Sequence, residues 1–163
     1  MEMEANGEIA IIAAHVPVSK YDCGYNWSVR YRALMVRFQH IIRLQIHGHS
    51  HLENVQVARS FKDSSDSYAH SKAVGVHYTS GSLTSFESIH PTFRLFELDA
   101  ETLLPVRIHT YKLNEGDWFL DHTWPESLGI KDLSPSSFEE MAKDILAGNI
   151  ARAMKFQNSK ANG

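Results

Sequence analysis

Ile9-Ala10-Ile11-Ile12-Ala13-Ala14-His15-Val16-Pro17 and Ile41-Ile42-Arg43-Leu44-Gln45-Ile46-His47-Gly48-His49-Ser50-His51 share one pattern. Each is a short run dominated by apolar residues that gives way to a histidine-bearing loop. A continuous apolar run of this length is typical of a strand buried on both faces, as in a parallel sheet. Between the two runs, Trp27, Tyr31, Leu34, Phe38 and Ile41 recur at spacings of four, three, four and three. That recurrence predicts a helix with one apolar stripe. Strand, helix, strand is the unit from which layered α/β domains are built.

Working outward, Val55-Gln56-Val57-Ala58-Arg59 alternates as a half-buried strand does, and residues 62–71 are rich in Ser and Asp, as an exposed loop is. Ala73–Tyr78, Thr92–Leu98 and Pro105–Tyr111 are predicted strands, with Asp99–Thr102 turning the chain between the last two. Ser134-Pro135 has the form of a helix N-cap with proline at the first helical position, and Phe138, Met141 and Ile145 keep one face. Gly148 ends or bends that helix, and Ile150–Phe156 forms a further short one. The expectation is a mixed α/β layered domain whose last third is helical. A run buried on both faces so close to Met1 further predicts that sheet neighbours come earlier in a parent chain.

The composition narrows the function classes. With 163 residues, 43% hydrophobic and 21% charged, the chain is neither too small for a core nor disordered in composition. A formal charge of −3, from 16 Lys+Arg and 19 Asp+Glu, argues against a nucleic-acid-binding surface. No apolar run reaches the length of a membrane-spanning helix. Met1–Asn6 is acidic and polar, unlike the basic start of a secretory signal. One cysteine, Cys23, excludes an internal disulfide and a cysteine-based zinc site, whereas ten histidines leave imidazole and carboxylate as the available metal donors.

Among those histidines, His49-Ser50-His51 closes the second run and His15 closes the first. In an extended chain, residues i and i+2 point to the same side, so His49 and His51 are expected to converge with His15 on a metal. His40, His47, His70, His77, His90, His109 and His122 are read as surface or packing residues. Asn26-Trp27-Ser28 fits the N-glycosylation pattern and equally fits a helix start. The Trp118, Phe119 and Trp124 cluster is read as packing for the tail helices.

Taken together, Ile12-Ala13-Ala14-His15-Val16-Pro17, the Trp-containing helix and Ile46-His47-Gly48-His49-Ser50-His51 resemble the last two motifs of the calcineurin-like metallophosphoesterases. More narrowly they resemble the acid sphingomyelinase branch. Ser82-Leu83-Thr84-Ser85-Phe86, Pro91-Thr92-Phe93-Arg94 and Asp132-Leu133-Ser134-Pro135-Ser136-Ser137-Phe138 extend the resemblance over most of the chain. It implies part of a layered α/β/β/α metallophosphoesterase sandwich, its C-terminal half. Residues 1–113 would belong to the catalytic domain and 114–163 to a helical C-terminal region. It also implies hydrolysis of phosphodiester or phospholipid substrates with two divalent metal ions, zinc, His15 and His49 holding one ion and His51 the other. The implied setting of the parent is extracellular or lysosomal, and Cys23 matches a cysteine bridged to an upstream partner.

The resemblance also carries departures. The Asp-x-His, Gly-Asp and Gly-Asn-His motifs of the family stand upstream of the position of His15, and residues 1–14 contain neither Asp nor His. Ala14 replaces a glycine and His90 an asparagine. The chain alone is therefore expected to be inactive, with no catalytic residue assigned to it and only part of the metal ligands. The competing reading is a non-catalytic remnant or pseudoenzyme that binds lipid or protein.

Overall fold

A computed structural model describes residues 2–19, 21–60 and 71–158. It is mixed α/β, with two sheets and four α-helices among the described residues. A short helix α1 (Glu2–Ala5) precedes strand β1 (Ala10–Ala13); helix α2 (Tyr25–Arg37) then leads to β2 (Ile42–His47). β3 (Asn54–Ser60) and β4 (Lys72–Thr79) complete the first sheet, in the order β1-β2-β4-β3. β1 and β4 both run parallel to β2, and β3 is antiparallel to β4. β5 (Thr92–Leu98), β6 (Pro105–Asn114) and β7 (Asp117–Trp124) form an antiparallel meander. Helices α3 (Pro135–Leu146) and α4 (Ile150–Asn158) close the described chain. No described helix is long and apolar enough to cross a membrane.

Most of the expected elements are present, and three differences are informative. First, β1 lies at the edge of its sheet among the described residues, and Ile11 on it is half exposed. An apolar run is therefore compatible with an edge strand, although its composition suits a buried one. Second, α2 turns a different face inward. It buries Ser28 and Met35, while Trp27 and Leu34 of the expected stripe stay about half exposed. Third, the tract 114–163 is not helical throughout. β7 lies within it, and the β6–β7 hairpin straddles the expected boundary. Trp124 packs against Phe138 of α3 as expected, but Trp118 and Phe119 are exposed on β7. The Ser/Asp-rich stretch falls almost wholly outside the described residues.

Strand alternation divides the first sheet into two unlike faces. Leu44, Val76 and Tyr78 point into the apolar core, meeting Ile108 and Trp124 of the second sheet and Phe138 and Met141 of α3. The cap of α3 is as expected: Ser134 accepts a hydrogen bond from the Ser137 amide and Pro135 takes the first turn. The opposite face carries Gln45, His47 and His77, all buried under α2. There Tyr31 donates its hydroxyl to Gln45 Oε1 at 3.0 Å, and Met35 lies against the position of Gly75. A polar sheet face favours the helix face that carries the Tyr31 phenol, which accounts for the rotation of α2.

The two sheets are joined by a buried ion pair. Glu53 at the start of β3 and Arg94 on β5 meet through two contacts, Nη2 to Oε2 at 2.8 Å and Nε to Oε1 at 2.9 Å. Their side chains are 0% and 1% exposed respectively. Thr110 Oγ1 donates to the same carboxylate at 3.0 Å, His122 Nε2 lies 3.3 Å from it, and the guanidinium stacks 4.3 Å over Trp124. Where the chain passes from β4 to β5, only glycine fits: a Cβ on Gly81 would fall 2.0 Å from Thr92 Oγ1.

Two stability measurements test this construction. Arg94→Met leaves a buried carboxylate without its main counter-charge and should cost about 3 kcal/mol or more in urea unfolding; an effect below 1 kcal/mol would show that the pair is dispensable. His77 behaves differently. Burial, with the His47 and Arg32 charges adding to it, lowers its pKa to about 4. The unfolded chain takes up this proton near pH 6.5 and the folded one only near 4, so stability is lost as pH falls between those values. In metal-free protein, His77→Leu should flatten the fall in stability between pH 6.5 and 4 by up to about 3 kcal/mol. Identical pH slopes for the two proteins would contradict this.

Candidate metal-binding loops

The first two parallel strands deliver their histidine loops to the same end of the sheet. Ligand sites of open α/β sheets form beyond the carboxyl ends of the strands. Pairing continues past the strands themselves: the Ala14 amide donates to the Ile46 carbonyl at 3.0 Å and the Gly48 amide to the His15 carbonyl at 2.9 Å. The loops are thus stitched together backbone to backbone. The His15 and His49 rings lie 5.3 Å apart between centroids, edge to face at 81°. A side chain on Gly48 would begin 3.6 Å from His15 Nδ1, so glycine leaves that nitrogen open to approach.

His51 does not join them. His49 and His51 have φ values of 74° and 58°, in the left-handed region that non-glycine residues rarely enter. The alternation rule for extended chain therefore does not apply across His49-Ser50-His51. A turn forms instead, with the Ser50 amide donating to the Gly48 carbonyl at 2.9 Å. His51 is directed toward Phe86, 6.4 Å between ring centroids. Two residues later comes Glu53, so the buried ion pair anchors the downstream end of this loop.

The loop after His15 brings one residue that sequence reasoning missed. Asp22 Oδ1 stands 3.9 Å from His49 Nε2. Its carboxylate accepts a hydrogen bond from the Ser19 hydroxyl, and its amide donates to Ser19 Oγ at 2.9 Å. Ser28 Oγ, buried in the first turn of α2, donates to the Ser19 carbonyl at 2.6 Å and ties this loop to the helix. That contact also accounts for Ser28 in the Asn26-Trp27-Ser28 tripeptide: it lies inside the helix with its hydroxyl engaged. Cys23 is a free thiol whose Sγ lies 3.1 Å from the Pro17 carbonyl.

Among the described residues, no group of three or more His, Cys, Asp or Glu is gathered tightly enough to hold a metal ion. The donor types are those of a zinc-class site, with two imidazoles and a nearby carboxylate. Of the other histidines, His47 and His77 are buried, and His122 contacts Glu53. His40 and His109 meet Glu4 and Glu97. His90 Nδ1 lies 3.3 Å from the Leu113 carbonyl, and His70 lies outside the described residues.

Curated relatives align in sequence with most of the chain. Sphingomyelin phosphodiesterase 1 of Caenorhabditis elegans is 28% identical over 99% of the chain, and sphingomyelin phosphodiesterase B of Dictyostelium discoideum is 26% identical over 88%. The chain resembles the sphingomyelin phosphodiesterases. The human cyclic GMP-AMP phosphodiesterase, 24% identical over 95% of the chain, extends the likeness beyond the sphingomyelin enzymes. No family model matches. The chain spans 29% of the length of the Caenorhabditis elegans protein, 24% of the Dictyostelium discoideum one and 37% of the human protein.

The left-handed backbone of the histidine loop yields a prediction specific to this geometry. His49→Gly relieves the positive φ and should stabilise the fold by about 1 kcal/mol, whereas His49→Ala, which keeps the strain, should not. Chemical unfolding of the two variants distinguishes them. Equal effects of glycine and alanine would show that the loop stores no such strain.

Proposed function

We propose that the chain carries the histidine side of a metal-dependent phosphodiesterase centre, on part of a layered α/β/β/α metallophosphoesterase sandwich. The observation that carries this reading is the close pairing of His15 and His49 beyond the ends of two adjacent parallel strands. The resemblance to sphingomyelin phosphodiesterases supports a phosphodiester, of the phospholipid kind, as the substrate class. His15 and His49 would hold one divalent ion, zinc by donor type, and the resemblance assigns His51 to a second ion. Such ions, when bound, supply Lewis-acid stabilisation of charge developing on phosphate oxygens. The protein holds the rings in place by backbone pairing of the two loops and by the Glu53–Arg94 anchor, so the donors are oriented before an ion arrives. Asp22 stands 3.9 Å from His49 and adds a negative charge beside that ring.

One observation favours a second reading. With no three-donor cluster among the described residues, the same surface on its own would suit a non-catalytic module that binds lipid or protein. Zinc titration separates the two. Under the metal-centre reading, the chain binds zinc, and His15→Ala/His49→Ala weakens it at least tenfold. The chain alone should leave bis-nitrophenyl phosphate intact, because its residues fill only part of the ligand set. Zinc affinity unchanged by the double substitution would overturn the metal assignment in favour of the binding module. Rapid metal-dependent turnover by the chain would overturn the view that its ligand set is incomplete.

A further inference from the structure

The buried polar face under α2 holds a feature that the candidate metal-binding loops do not use. His47 on β2 and His77 on β4 are each 3% exposed, and their ring centroids are 5.6 Å apart with planes inclined at 35°. His47 Nδ1 lies 3.2 Å from the Val16 carbonyl. A carbonyl only accepts, so Nδ1 carries the proton of the neutral ring and Nε2 presents a bare lone pair. That Nε2, and His77 Nδ1, are buried without a hydrogen-bond partner. Two unpartnered imidazole nitrogens on neighbouring rings in a core are costly unless a further partner satisfies them.

We propose that His47 and His77 form a buried two-imidazole site for a soft monovalent cation of the copper(I) class. An ion about 2.0 Å from one nitrogen of each ring sets the two centroids roughly 5 to 6 Å apart when the nitrogen–ion–nitrogen angle is bent and slightly over 6 Å when it is linear. This pair therefore suits a bent arrangement. The Nδ1–H to carbonyl bond of His47 is the orienting contact typical of a metal-ligating imidazole. Charge decides the class of ion. Among the described residues no carboxylate acts on either ring, and Arg32 lies near enough to act on His77 electrostatically. A dication in such surroundings is unfavourable, whereas a single positive charge on two neutral nitrogens is less so. The Met35 methyl lies beside Gly75, two residues from His77 on the same face, so the neighbourhood of the pair is apolar on that side. The proposal is independent of the His15, His49 and His51 reading, because none of those side chains takes part.

Anaerobic titration with copper(I) against a chromophoric chelator tests it, using the whole chain. His15→Ala/His49→Ala/His51→Ala should keep one tightly bound equivalent. His77→Leu should lower its affinity at least a hundredfold while the far-ultraviolet circular dichroism is unchanged. His47→Phe serves as an independent second variant should either substitution disturb folding. X-ray absorption of the loaded triple variant should show nitrogen ligation of low coordination number. Loss of the copper in the triple variant, or its retention in both His77→Leu and His47→Phe, would overturn the proposal. So would tighter binding of zinc than of copper(I) at this pair, since the charge argument would then fail.

Discussion

The ion pair between Glu53 and Arg94 is the constraint on which the rest depends. Burying both charges carries a large desolvation cost, offset only when geometry is good and every remaining valence is engaged. Here the guanidinium meets the carboxylate through two nitrogens, a threonine hydroxyl donates to the same oxygen as Nε, and an indole covers the cation. Arg94 Nη1 also reaches the Thr79 carbonyl, at 3.3 Å, where β4 ends. One side chain of the second sheet thereby fixes two exits of the first: that of β4 and, through Glu53, that of the His49–His51 loop. The close passage at Gly81 and Thr92 follows from this, because the pair draws β5 against the end of β4.

The two faces of the first sheet show how burial and polarity are divided. One face is an ordinary apolar core closed by the second sheet and α3. The other is buried with comparable completeness but is lined by an amide and two imidazoles. A polar face under a helix costs stability unless its groups find partners. Tyr31 supplies one for Gln45, and the Val16 carbonyl supplies one for His47. The helix is therefore oriented by hydrogen bonding as well as by apolar area, and Trp27 is left stacked on Tyr31 at the surface, 5.0 Å between centroids.

This division explains how much was legible in the sequence. β5 follows Thr92–Leu98 residue for residue, and Ser134-Pro135 marks the start of α3, because strand alternation and cap chemistry are local. The mixed α/β order was equally readable from the two apolar runs and the helix between them. The inward face of α2 was not, since hydrophobic periodicity assumes an apolar floor and this floor is polar. β7 was missed because Asp117–Trp124 mixes aromatic and charged residues without regular alternation, and its register with β6 is broken between Thr110 and Tyr111. Glu53 and Arg94 gave no local signal at all. They lie 41 residues apart, and only the packing of one sheet on the other makes them partners.

The histidine loops separate what sequence spacing governs from what strand pairing governs. His49 and His51 are near in sequence, yet the His49 ring lies beside His15 and the His51 ring beside Phe86. His15 and His49 are distant in sequence, yet their rings lie 5.3 Å apart, close to the spacing of about 4.8 Å between paired strands. Parallel pairing of β1 with β2, continued into the loops by the Ala14 and Gly48 amides, sets that separation. The imidazole pair is thus a property of the sheet, held wherever β1 and β2 stay in register. The position of His51 is a property of the loop, and it depends on the turn at Ser50 and on the buried carboxylate two residues further on. A ligand bridging both sets of donors would couple the register of the first sheet to the clasp of the second.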